Sequence, residues 1–155
     1  MTPWHLRCAV KTLRNGGLLA HPTEGVWGLA CDPLNAHAVE YLLASKHRSA
    51  RQGLILIAAD FGQLRPYLGE EVEAMQSRIL PTWPGPVTWI LPAAAWVPSL
   101  LSGGRSTIAV RVTAHPVASA LCAAFGDVLV STSANRSGRP AALNSTAVRA
   151  RLGDR

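Results

Sequence analysis

Val128-Leu129-Val130-Ser131-Thr132-Ser133-Ala134-Asn135 runs from an apolar segment straight into hydroxyl and amide side chains. A buried strand at 128–130 that delivers Ser131, Ser133 and Asn135 into a loop fits an α/β sheet, where ligands gather beyond the strand ends. Residues two apart share a face only in extended chain. An extended 131–135 segment therefore presents two hydroxyls and an amide in a row. Lys46-His47-Arg48 has the same two-residue spacing and, if extended, presents two cations side by side. Together the two stretches suit a polyanionic ligand such as a nucleoside triphosphate, which takes charge and directional donors at once. The alternatives left open are turn chemistry for the Ser/Asn stretch and a helix C-terminus that favours Lys46 and Arg48 through its dipole.

Helical periodicities and short apolar runs alternate along the rest of the chain. Residues 5–15 carry Leu6, Val10 and Leu13 at helical spacing, and Gly16-Gly17 ends them. A short strand at 18–20 enters His21-Pro22-Thr23-Glu24-Gly25, and 26–31 is a second apolar run. Asn35 caps a helix over 36–45 with Val39, Leu42 and Leu43 inward. Gly53 opens a buried strand at 54–59, and 70–80 reads as a helix with acids in its first turn. Trp83-Pro84-Gly85-Pro86 turns into a strand at 87–91. Thr107–Val112 is another strand, Pro116 starts a helix to about Phe125, and Asn144 or Ser145 caps a last helix through Arg151. The expected fold is α/β: one domain over 1–155, a twisted open sheet with flanking helices. The connection after Thr23 is too short for a helical crossover, so the sheet is expected to be mixed, with some antiparallel pairs.

At 155 residues, with 48% hydrophobic and 15% charged residues, the composition is globular and excludes a disordered chain. No apolar stretch approaches the roughly 20 residues that span a bilayer, and the N-terminus lacks a signal-peptide core, so a cytoplasmic protein with no membrane partner is expected. Cys8, Cys31 and Cys122 are scattered, with no CxxC pair, and are expected to be small buried hydrophobes. The net charge of +6 favours anionic partners. Thirteen of the fifteen basic residues are Arg, which fits phosphate recognition or a GC-rich coding bias equally well. From Arg136 on, Arg136, Arg139, Arg149, Arg151 and Arg155 face one acid, Asp154, as an RNA contact or as a solvated helix face.

Two more places hold polar residues where chemistry would use them. Pro22 disfavours helix at His21 and Gly25 frees the backbone, so the turn exposes Thr23 to a small ligand, or simply uses it as a local cap. Arg111 interrupts an apolar strand and shares a face with Thr107 and Ala109. A charge so placed has a partner or a ligand, unless it lies on an edge strand and reaches solvent. No Walker A or GxGxxG pattern occurs, no two His share metal-ligand spacing, and no metal site is expected. His5, His37, His47 and His115 read as solvent-facing or capping.

Taken together, HPTEGVWGLACDP (21–33), SKHR (45–48), GLILIA (53–58), WPGPVTWILPA (83–93), TIAVRVTAHP (107–116) and VSTSANRSGRP (130–140) resemble the YrdC family, in the family's order and over essentially the whole chain. The resemblance implies an open, mixed α/β sheet with a concave positive face. It implies a nucleotidyltransferase that joins L-threonine, bicarbonate and ATP into threonylcarbamoyl-AMP and pyrophosphate. The product feeds threonylcarbamoyladenosine modification of adenosine 37 in tRNA. The family's KxR motif falls on Lys46 and Arg48, implying catalytic contacts to the ATP phosphates. Its SxN motif falls on Ser133 and Asn135, implying nucleotide contacts. Thr23 and Arg111 are implied at threonine, with Arg111 on its carboxylate. Thr107 and Ser131 are implied as lesser contacts to ATP and threonine. Mg²⁺ would be carried by the phosphates with few protein ligands. Implied partners are tRNA or double-stranded RNA and the proteins of the threonylcarbamoyl-transfer complex.

This sequence departs from the family at two places. Gln52 stands where a third basic residue often lies beside the ATP phosphates. The sequence stops at Arg155, where family members continue for another helix and strand, so it is expected to be short at the C-terminus, with an exposed sheet edge or apolar surface. Two other readings stay in view: the positive balance and the Arg-rich tail allow a non-catalytic module that binds double-stranded RNA or tRNA, and the two departures allow a degenerate, truncated relative.

Overall fold

The computed structural model describes residues 2–153; Asp154 and Arg155 of the Arg-rich tail lie outside them. Helix α1 (Pro3–Arg14) starts earlier than its apolar spacing indicates, because the Thr2 side chain caps the His5 N–H and Pro3 presets φ at the first turn. Strands β1 (Leu19–His21) and β2 (Gly28–Cys31) flank the Thr23 turn. Helix α2 (Ala36–Lys46) is capped by Asn35, buries Val39, Leu42 and Leu43, and ends on a left-handed His47 at φ 50°. Lys46 and Arg48 are therefore not neighbours on one extended face. The helix holds the first, His47 turns the chain, and the second lies beyond the turn.

Strand β3 (Ile55–Ala58) precedes a single turn, α3 (Phe61–Leu64), capped by Asp60. The 70–80 stretch is not one α-helix. Glu70–Met75 forms a 3-10 helix, and only α4 (Gln76–Ile79) is α-helical. Gly69 offers no side-chain cap. Val72 and Met75, three apart, both pack on the core, a spacing that the three-residue 3-10 turn matches. Strand β4 (Trp89–Pro92), α5 (Ser99–Ser102), β5 (Thr107–Val112), α6 (Pro116–Phe125), β6 (Leu129–Ser133) and α7 (Ser145–Leu152) complete the described chain. The His115 ring and Pro116 start α6, and the Asn144 side chain caps α7.

The six strands lie in the order β1-β2-β6-β3-β5-β4. The β3/β5 pair is parallel and the other four are antiparallel, so the sheet is mixed. Strand β4 is an edge, where Pro92 removes no needed ladder donor. One face carries Leu29, Leu56, Val110 and Val130 and is covered by α2 and the segments around Tyr67 and Val72. The other carries Ala30, Ile57 and Leu129 under α1 and α6. Cys31 and Cys122 are buried as expected, but Cys8 is exposed, because α1 turns Ala9 and Leu13 inward and Cys8 outward. Among the described residues no helix is long and apolar enough to cross a membrane.

Candidate active site

Helices α1 and α6 cover only part of their face of the sheet. Alternation along β6 brings Ser131 and Ser133 to that same face as Leu129, and register carries the face across the sheet. Ser131 lies opposite Ile55 and Ala30, Ser133 opposite Gly28, and Ile55 opposite Ala109. On β5 the same side holds Thr107, Ala109 and Arg111. The helix pair thus stops where the strands change from Leu and Ile to Ser, Thr and Arg. Apolar strand surface recruits a helix, and the polar remainder stays open.

Thr23, Arg48, Arg111, Ser131 and Ser133 line one cavity of about 350 Å³ in that open half, with Trp27 and Ile55. Ser131 is buried and the two arginines are half-buried. Arg48 Nη2 donates to the Gly53 carbonyl at 3.0 Å, yet Arg48 Nε is buried without a partner. Arg111 Nη2 lies 3.8 Å from Glu24 Oε2, and Arg111 Nε is likewise buried and unpartnered. Burial lowers the Arg48 pKa from its ordinary value without neutralising so strong a base. Burial raises the Glu24 carboxyl, but bonds from Thr113 Oγ1 at 2.7 Å and the Ala114 N–H at 2.8 Å, with the nearby Arg111 charge, outweigh it and hold the pKa below the usual range. Glu24 is therefore a fixed anion, and its Oε2, itself buried without a hydrogen-bond partner, meets Arg111 as an ion pair and not as a hydrogen bond. The Thr23 hydroxyl donates to the Val26 carbonyl at 2.6 Å, so Thr23 braces its turn as well as lining the cavity.

Lys46 and Asn135 line no part of this cavity and instead bond to each other behind Ser133. Lys46 is almost fully buried. Its ammonium donates to the Ser133 carbonyl, to the Asn135 carbonyl at 2.6 Å and to Asn135 Oδ1 at 3.4 Å. The Ser137 N–H returns a bond to the Lys46 carbonyl at 2.8 Å. The Asn135 amide closes its own loop on the Arg136 and Arg139 carbonyls at 3.0 and 2.5 Å. Burial, and secondarily the neighbouring Arg48 charge, push the Lys46 pKa down to about 8.

Arg48 also borders a second, smaller cavity of about 130 Å³ with Gln52 and Thr107. The two cavities share Arg48 and Ile55 in their walls, so they adjoin as the two halves of a trough with Arg48 between them. Arg105, which the sequence reading passed over, lies beside Gln52 and donates to the Arg51 and Gln52 carbonyls at 3.0 and 2.8 Å. A cation therefore stands close to the position where Gln52 lacks one. Glu24 and His21 were also passed over. The signal for Glu24 was its place beside Thr23. His21 was masked by the turn residues around it.

The family model Sua5_yciO_yrdC, described as telomere recombination, matches residues 11–155. A threonylcarbamoyl-AMP synthase of Halorhodospira halophila is 56% identical over 153 residues, 99% of this chain and 80% of the relative. Among solved structures, P. abyssi Sua5 complexed with L-threonine superposes with a TM-score of 0.88 at 36% identity over 97% of this chain. This chain spans only 44% of that protein. E. coli YciO gives 0.81 at 26% identity, covering 99% of this chain and 75% of that one. The matches run from α1 through the Ser131–Asn135 loop and carry every element that shapes the trough: the chain belongs to the Sua5/YciO/YrdC family.

Proposed function

We propose that this chain is an L-threonylcarbamoyladenylate synthase that makes threonylcarbamoyl-AMP and pyrophosphate from L-threonine, bicarbonate and ATP. The observation that carries the reading is the pair of buried, unpartnered guanidinium N–H groups, on Arg48 and Arg111, at one row of hydroxyls. A buried donor without a partner is costly, and an anion that fills the cavity relieves both. Similarity to the Halorhodospira synthase supports the same reading.

In this reading Arg111 holds the threonine carboxylate, with Thr23 and Ser131 at the amino end. The threonine nitrogen takes up carbon from bicarbonate, with loss of water, and becomes an N-carboxylate. That carboxylate oxygen attacks the α-phosphorus, a P–O bond forms, and the bond to pyrophosphate breaks. The transfer rests on positioning and charge neutralisation rather than a protein nucleophile. Arg48, Thr107, Ser133 and Gln52, with Arg105 near Gln52, border the path of the triphosphate, and Lys46 and Asn135 set the Ser133 loop. No Asp or Glu is among the described residues lining the trough. Mg²⁺, if carried in by the phosphates, fits hydroxyl and carbonyl surroundings and adds neutralising charge there. Arg136 and Arg139 are exposed beside the loop and give tRNA or double-stranded RNA an electrostatic landing.

Purified chain incubated with ATP, Mg²⁺, L-threonine and bicarbonate is expected to yield threonylcarbamoyl-AMP by mass spectrometry, with no product when any of the three substrates is omitted. A folded chain that gives none under these conditions is not this synthase.

A further inference from the structure

His21, at the end of β1, is 2% exposed and lies beside Ser131 of the candidate site, 110 positions away in sequence. Its two ring nitrogens have different partners. Nδ1 is 3.1 Å from the Pro22 carbonyl oxygen, and Nε2 is 3.2 Å from Ser131 Oγ. A carbonyl oxygen only accepts, so Nδ1 carries the ring proton. Nε2 is then a bare lone pair, and the Ser131 hydroxyl donates to it. Burial, reinforced by Arg111 and His115, pushes the His21 pKa down to about 4, so a second ring proton is absent at neutral pH.

Space for the pair is built into the sheet. Gly28 pairs with His21 on one side and Ser133 on the other. A Cβ at Gly28 would sit 2.8 Å from His21 Nε2 and 2.9 Å from Ser131 Oγ. Any larger residue there would push into the bond.

A serine hydroxyl has one proton to give and two lone pairs to offer. With the proton fixed on His21, the oxygen has only acceptor capacity left for the cavity it lines with Thr23 and Arg111. We infer that His21 is a positioning residue that makes Ser131 a one-way hydrogen-bond acceptor for the amino group of the amino-acid substrate. This rests on the proposed reading of the cavity as the threonine site. An acceptor at that point holds the nitrogen by its N–H and aims its lone pair away from Ser131, toward the carbon it will bond. A freely rotating hydroxyl would also populate the donor orientation, which competes for that lone pair.

The test combines a spectrum with kinetics. In ¹⁵N-labelled, substrate-free protein, the His21 ring is expected to show the Nδ1–H form with an unprotonated Nε2, its Nε2 signal moving in Ser131→Ala. An Nε2–H ring overturns the pair whether or not the chain is an active synthase. In the kinetic arm, His21→Leu is expected to raise the KM for threonine about tenfold, the effect of one hydrogen bond, and to leave the KM for ATP unchanged. Ser131→Ala should do the same, and the double variant no more. His21→Gln, whose amide oxygen reaches the Nε2 position, should recover most of the loss. Additive single effects, equal losses in both KM values, or no rescue by Gln in a variant with wild-type Tm would overturn the inference. If the wild type forms no product, the same comparisons are made on threonine binding by calorimetry, so failure of the activity and failure of the pair remain distinct.

Discussion

Arg111→Leu is expected to lower kcat/KM for threonine by roughly 10²–10⁴-fold, mostly through KM, while ATP binding in the absence of threonine changes little. A carboxylate held by a guanidinium fork makes two charge-assisted hydrogen bonds, each worth about 1.5–3 kcal/mol. Arg111 is ready for that role because Glu24 holds only one edge of it and Nε has no partner. Arg111→Lys keeps the charge and loses the planar fork, so it should retain part of the activity, about tenfold below wild type. Glu24→Gln tests the support. The amide still accepts from Thr113 and Ala114 but no longer anchors the cation, and the KM for threonine should rise without a change in its pH dependence. Steady-state kinetics with threonine and ATP varied separately decide among these. If Arg111→Leu loses kcat while both KM values stay fixed, Arg111 does not hold the substrate in its ground state, and the assignment fails.

The local grammar of the chain was legible because it rests on short-range physics. Asn35 and Asn144 cap helices where they stand, and Pro116 starts one. The apolar runs became strands with boundaries shifted by no more than three residues. The Ser131–Ser133 stretch is extended because it continues the apolar strand before it, and one face carries both hydroxyls into the cavity that Arg111 lines. The Lys46–Arg48 stretch shows where the same logic fails. Two-residue spacing places cations side by side only in a strand, and here α2 runs on to Lys46 before His47 turns left-handed. Spacing alone holds no information about which conformation prevails. The 70–80 stretch failed for a related reason: helical composition does not separate an α turn from a 3-10 turn when the buried residues lie three apart. Long-range partners were illegible altogether. His21 and Ser131, Lys46 and the Ser133 carbonyl, and Arg105 and the Gln52 carbonyl meet only because the sheet and the α2 terminus bring distant segments together.

Lys46→Met is expected to weaken ATP binding by about 10²-fold and to lower stability by about 2 kcal/mol, for one structural reason. The Lys46 ammonium bonds the carbonyls of Ser133 and Asn135, so removing it leaves buried acceptors bare and frees the loop that carries Ser133 into the trough. A further readout separates charge from loop fixation. The Lys46 pKa is about 8, and ATP, a polyanion, binds better while the ammonium is charged. Affinity should therefore be full below pH 8 in the wild type and fall as pH rises above it, because binding must then recapture a proton. The terminal phosphate of ATP loses its last proton at about pH 6–7, so it is ionised from about pH 8 upward and adds no trend of the opposite sign there. Lys46→Arg, charged throughout, should flatten the profile, and Lys46→Met should be flat at the low level. Calorimetric titration with ATP from pH 7 to 9.5, beside a urea unfolding curve for each variant, measures both effects. A wild-type affinity that is constant across pH 8, with a destabilised Lys46→Met, would leave Lys46 as a loop clamp and take its charge out of ATP recognition.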